Sequence, residues 1–281
     1  MNSMHASTAR RPGETRGAGP LLRSWRTSRG KSQLALAVEA GISTRHLSFL
    51  ETGRASPSRE MVLTLAEHLE LPLRDRNSLL EAAGYAAVYR ETPLEAAVMD
   101  DARAALTHLL DAALPNPSLV VNRRYDVLLA NSAAIELFSF FAPKWRGKNN
   151  IARLVFSPSG LKPAIVDWPA AAGYLVKRLR AELGHDVADT QDAQLLALAD
   201  EVHAEIRGKL TLADPSHAAN ILLPVSFRRG SIELDLFTAI TTVGTPLDIT
   251  LQELRIETFF PANPASRRTL ERVVQRAVSV R

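Results

Sequence analysis

Apolar residues recur every three or four positions over the first two thirds of the chain and every second position in much of the last third, which predicts helices first and strands later. Residues 1–18 show no period and mix Ser, Thr, Gly, Arg and Pro, the pattern of a disordered basic tail. Five short helices are predicted next. The first runs from Pro20 to Ser28 with Leu21, Leu22 and Trp25; the second follows Ser32 and carries Leu34, Ala37 and Val38. Gly41 stops it. Ser43 begins a third helix bearing Leu47 and Leu50, ended by Gly53; Pro57-Ser58 opens a fourth with Met61, Leu65 and Leu69. The fifth begins at Pro72, buries Leu79, Leu80 and Ala83, and ends at Gly84.

A linker at residues 85–95 precedes a longer helix from about Leu94 to Leu114, with Val98, Ala102, Leu106, Leu109 and Ala113 in its apolar stripe. Leu119 to Val121 and Tyr125 to Ala130 read as strands, and Asn131 begins a helix through Phe141. Two more helices are expected, Pro169 to Leu183 and one holding Leu195, Ala199, Val202 and Ile206. After the turn signal Arg228-Arg229-Gly230-Ser231, Ile232, Leu234 and Leu236 alternate with their neighbours, so this is a hairpin. A further strand places Leu254, Ile256, Thr258 and Phe260 on one side and stops at Pro261; a last helix contains Leu270, Val273, Val274 and Ala277. The predicted fold class is α+β: an all-α five-helix domain over 19–84, then an antiparallel-sheet domain with helices and a C-terminal helix over 96–281.

Composition narrows this picture. The 281 residues are 46% hydrophobic and 23% charged, which supports folded cores and excludes a polyelectrolyte. There is no cysteine, so disulfides, thiolate nucleophiles and Cys-ligated metals are excluded, and a reducing cytoplasm is the expected compartment. No apolar run approaches a membrane span. Net charge is +4, distributed unevenly: residues 1–59 sum to +7, 60–92 to −3, and the rest to zero. A basic head on a neutral body points to a polyanionic partner.

Within that head, Gln33, Ala37, Gly41, Leu47, Leu50, Glu51, Gly53 and Pro57 occupy a helix-turn-helix frame: a small residue where helices cross, a glycine at the turn, and leucines anchoring the second helix on the first. The segment QLALAVEAGISTRHLSFLETGRASP resembles the Cro and C1 repressor-like helix-turn-helix family over residues 19 to 84. The resemblance implies double-stranded DNA as partner and Ser43 to Thr52 as the recognition helix. Thr44, Arg45, Ser48 and Phe49 would then face base edges, with Arg45 suited to a bidentate grip on guanine and Phe49 to a thymine methyl, unless Phe49 is core. His46 falls at the groove wall; Gln33 and Arg54 match phosphate contacts.

The phrases YDVLLAN, LKPAIVDWP and TTVGTPLDITLQELRIETFFPA, following that head, resemble the MmyB-like regulators over residues 19 to about 275. The resemblance implies a PAS-like second domain that holds a fatty-acid-like ligand. Phe156, Trp168, Tyr174 and Phe237 are large enough to line an apolar cavity and equally suited to ordinary core, while Arg228 or Arg229 in the hairpin turn could meet a carboxylate head. Lys144, Arg146 and Lys148 around Trp145 form either an anion site or a solvated loop.

Nothing in the sequence carries catalysis. The histidines (His5, His46, His68, His108, His185, His203, His217) contain no His-x-x-x-His pair, and the serine-elbow, phosphate-loop and dinucleotide glycine motifs are missing, so neither enzyme activity, nor a metal, nor a cofactor is expected. Asp186, Asp189 and Asp192 stand at a helix start, where the backbone dipole favours them. The expectation is a homodimeric, ligand-responsive transcription regulator with no membrane association. The alternatives are an antitoxin-like or scaffold protein with a protein-binding body, and a small-molecule-modifying domain under its own repressor.

Overall fold

The computed structural model describes residues 17–183, 189–208, 224–244 and 246–275. The expected tail, apart from residues 17–18, lies outside them, as do His5, His185, Asp186, His217 and Ala277. The chain divides into two units. One takes in residues up to Glu91 together with Leu247–Gln252; the other takes in Thr92–Pro246 and the residues from Glu253 onward. The boundary at 91 falls inside the expected linker.

In the first unit, α1 (Ala18–Ser28), α2 (Gln33–Glu39), α3 (Thr44–Glu51), α4 (Arg59–His68) and α5 (Leu73–Ala82) follow one another closely. Three serines start three of them: the hydroxyls of Ser32, Ser43 and Ser58 accept from the backbone N–H groups of Ala35, His46 and Met61 at 3.0, 3.1 and 3.2 Å. The turn between α2 and α3 holds Gly41 at φ +67°, a left-handed conformation that a side chain would strain. Leu22, Trp25, Leu36, Ala37, Leu47, Leu50, Val62, Leu65 and Leu80 form the shared core. Leu36, not Leu34 or Val38, is the inward aliphatic residue of α2; the latter two are 63% and 71% exposed. With seven residues, α2 is too short for its apolar spacing to fix which face turns inward. At the start of α1, a Cβ on Gly19 would lie 2.5 Å from the Leu50 carbonyl oxygen, so glycine permits α1 to touch the end of α3.

α5 has no side-chain cap of its own, because Pro72 occupies that position. The Gln252 side-chain oxygen supplies it, accepting from the Leu73 N–H at 2.6 Å. The Ile249 N–H donates to the Arg90 carbonyl at 2.8 Å, and Ile249 is buried.

The second unit starts with a 3-10 turn at Ala97–Met99 that leads into α6 (Asp100–Ala112). Here the structure corrects the predicted stripe: Met99, Leu106 and Leu110 are buried, whereas Val98 and Leu109 are exposed. Adjacent leucines at 109 and 110 let the sequence fit either phase, and packing selects the second. β1 (Ser118–Val121) and β2 (Val127–Ala130) follow, then α7 (Ser132–Phe141), α8 (Ile151–Phe156), α9 (Trp168–Leu183) and α10 (Thr190–Ile206). Tyr125, expected inside a strand, lies in the β1–β2 turn at φ +64°. α8 was not predicted. β3 (Pro224–Arg229) and β4 (Ile232–Thr242) make the expected hairpin; α11 (Ile249–Glu253), also not predicted, precedes β5 (Arg255–Pro261) and α12 (Pro264–Gln275).

The strands form one antiparallel sheet in the order β2-β1-β5-β4-β3. Its main core gathers Leu119, Val121, Leu234, Leu236 and Phe259 from the strands with Leu137, Phe156, Trp168, Leu179, Leu195, Val202 and Leu270 from the helices. Asn131 ties three elements together. Its side chain accepts from the N–H groups of Ala134 and Ser118 and donates to the carbonyls of Leu110 and Asn116, all within 3.0 Å.

Candidate nucleic-acid interface and ligand domain

Glu51, the last residue of α3, organises the surface of the first unit. It is buried, takes two hydrogen bonds from Arg26 at 2.5 and 3.0 Å, and takes a third from the Gln33 side chain at 2.8 Å. Burial pushes the Glu51 carboxyl up, but the bonds from Arg26 and Gln33 outweigh it and hold it below its ordinary value. Gln33, at the first position of α2, is therefore fixed to α3 by the same carboxylate that fixes α1.

This bracing leaves the start of α3 outward. Ser43 caps it, Arg45 is exposed, and Thr44, His46, Ser48 and Phe49 are half-buried. Phe49 is not a core residue. The Arg45 guanidinium sits 5.3 Å from its ring centroid, one helical turn away, so the two side chains form a joint surface. Arg54 is exposed in the turn after α3. The eight residues expected to meet DNA thus lie on α3, at its two ends, and at the adjoining start of α2.

The ligand candidates of the second unit are not gathered in one place. Phe156 and Trp168 are core residues; the Trp168 indole donates to the Val155 carbonyl at 2.9 Å, and the Lys162 ammonium lies 4.0 Å from its ring centroid. Tyr174 is 49% exposed on α9. Phe237 points to the sheet face opposite Leu234 and Leu236 and stacks on Phe260, centroids 5.4 Å apart. Arg228 is exposed and pairs with Glu233 at 2.8 Å across the hairpin; Arg229 donates to the Phe140 carbonyl and stacks on its ring. In the loop around Trp145, Arg146 donates to the carbonyls of Pro143 and Trp145.

Two polar clusters went unnoticed in the sequence. Asp192, fully buried in the first turn of α10, receives both Arg123 and Arg124 from the β1–β2 turn, and Arg124 also bonds Asp189. The aspartates therefore anchor the sheet to α10 as well as matching its dipole. The second places Tyr125, Arg178 and Glu257 within reach of one another's charge, without a hydrogen bond or ion pair among the three. Glu257 is buried on β5, where burial pushes its carboxyl up against the pull of Arg178 and Arg255. Burial, and after it the charge of Glu257, also pushes the Tyr125 phenol up, so it stays neutral. A strand reading RIETFFP has apolar residues at both parities, which hid the inward turn of its one acid. Among the described residues no three His, Asp or Glu side chains form a metal-binding group, and no helix is long and apolar enough to cross a membrane.

Residues 102–273 match the family model of the MmyB-like transcription regulator ligand binding domain, and residues 22–75 match that of a helix-turn-helix family. No curated protein matches the chain.

Proposed function

The chain belongs to the MmyB-like transcription regulators, a ligand-binding domain joined to a helix-turn-helix, and from that membership we propose that it is a cytoplasmic, homodimeric regulator whose operator affinity is set by a fatty-acid-like molecule. The observation that carries the DNA half is the outward Arg45–Phe49 pair on a helix braced from behind by Arg26, Gln33 and Glu51. A recognition helix must be rigid to read base edges, and a buried three-way hydrogen-bonded junction at its end supplies that rigidity. Thr44, Arg45, Ser48 and Phe49 are assigned to bases; Ser43, His46, Gln33 and Arg54 to the groove wall and phosphates.

The ligand half is supported by the domain's membership and by its architecture, a single antiparallel sheet with helices packed on it, as the PAS-like reading requires. Binding stabilises one arrangement of the dimer, and only differential affinity for two arrangements can change the operator fit. Calorimetry with saturated acids of increasing length tests the ligand class. Each buried methylene should contribute about 0.8 kcal/mol, so four more carbons should tighten binding by roughly 3 kcal/mol before a limit is reached. A flat response, with no acyl species released from purified protein, overturns the fatty-acid reading. Operator occupancy with and without the acid then reads the switch.

A further inference from the structure

The antiparallel neighbours β4 and β5 are joined by a connection that belongs to the first unit, not to the sheet it links. The chain leaves the second unit after Pro246 and re-enters it at Glu253. Within the connection the Asp248 carboxylate accepts from the Thr250 N–H at 2.8 Å and starts α11, so the segment is a closed turn rather than a loose loop. The first unit holds it at two points. Ile249, 3% exposed, donates its N–H to the Arg90 carbonyl, and Gln252 accepts from the Leu73 N–H at the start of α5. The second unit takes hold almost at once: Leu254 is 1% exposed, and Arg255 donates to Glu182 at 2.5 Å and to the Glu253 carbonyl at 3.3 Å. The Glu253 carboxylate lies 3.7 Å from Arg123, which also holds Asp192.

Only Glu253 separates Gln252 from Leu254, at most about 7 Å of chain. The joint is short. The Gln252–Leu73 bond is 2.6 Å long and ceases to be one beyond about 3.5 Å, so a displacement of about 1 Å passed through Glu253 is enough to break it. We propose that Leu247–Gln252 is a strap that transmits the state of the second unit's sheet to the helix-turn-helix: with β5 in its present place the strap caps α5, and a shift of β5 withdraws the cap. This deepens the ligand-responsive reading above and rests on it for the signal that the strap carries. α5 packs on α1 and α4, and α1 braces α3 through Arg26 and Glu51, so the cap supports the recognition helix through a continuous run of packed elements. By linkage the effect runs both ways, and a ligand moves the strap only by binding the two positions of β5 unequally.

The test is hydrogen exchange at the Leu73 amide in the full chain without ligand, so a failure of the strap leaves the fatty-acid reading standing and a failure of that reading leaves the strap standing. Gln252→Ala should speed this exchange about fivefold, the factor to which loss of one cap corresponds. Leu234→Ala, which opens a cavity in the core of the second unit, should speed it several-fold as well. In the double variant Leu234→Ala should add nothing, because the bond it acts through is gone. If Leu234→Ala leaves the second unit unfolded, Leu73 should exchange at the Gln252→Ala rate, and wild-type protection there counts against the strap. Unchanged exchange in the folded Leu234 variant overturns it, and so does an acceleration that persists undiminished in the Gln252→Ala background.

Discussion

The Arg26 guanidinium and the Glu51 carboxylate meet through two hydrogen bonds, 2.5 and 3.0 Å long, between α1 and the last residue of α3. Removing one partner of such a pair leaves the other charge buried and uncompensated. Glu51→Ala should therefore destabilise the first unit by about 3 to 5 kcal/mol, read from the urea transition of the buried Trp25. The effect should depend on acid. Because the folded carboxyl is held below its ordinary value of 4.5, its contribution is complete above that value and is lost as pH falls through the folded one. Wild type and Glu51→Gln should thus converge in stability in strong acid; a gap that persists there contradicts the assignment.

Arg45→Ala should relax base preference by about 1 to 3 kcal/mol per site, because its guanidinium is exposed and meets no carboxylate among the described residues. Gln33→Ala should weaken binding to all sequences alike. It should also cost about 1 kcal/mol of stability, since Gln33 holds Glu51. Site selection on randomised operators separates the two variants; an Arg45 variant with intact preference contradicts the base assignment.

Two heads should read two half-sites, because one recognition helix covers too few base pairs to select a site. Their centres are expected about 10 base pairs apart or a multiple of that, as two-fold helix-turn-helix dimers require. Footprinting on a selected operator, with sedimentation of the complex, checks this. A monomer protecting one half-site contradicts it.

Gln252 caps α5 from far along the chain, so Gln252→Ala should destabilise that helix by about 1 kcal/mol. Hydrogen exchange at the Leu73 amide is the direct measurement. A fragment ending at Glu91 should lose this bond and the buried Ile249 together, and melt below the same unit in the whole chain.

The helix boundaries of the first unit were legible almost residue by residue; the inward face of α2 was not. Serine caps and glycine stops are local signals, and Ser32, Ser43, Ser58, Gly41 and Gly53 did what those residue types do in isolation. What escaped is set by distance in the sequence. The phase of α6 is decided by the sheet it lies on, the six residues of α8 are too few to show a period, and the inward turn of Glu257 follows from pairing with β1 and β4. The outward residues of α3 were found through their frame, yet the tie from Gln33 to Glu51 needed coordinates. No local rule could couple Gln252 to Leu73 across most of the chain.

That coupling has a consequence in time. A ribosome adding about 5 to 20 residues per second needs roughly 8 to 30 s to travel from Glu91 to Leu247, the last segment of the first unit to be made. Throughout that interval the nascent helix-turn-helix exists without its final turn, and a chain released early by a stop in the second unit never acquires it. Completion of the DNA-reading unit is thereby tied to synthesis through Gln252, so copies terminated before that residue should be poorer competitors for operators than a free-standing helix-turn-helix would be.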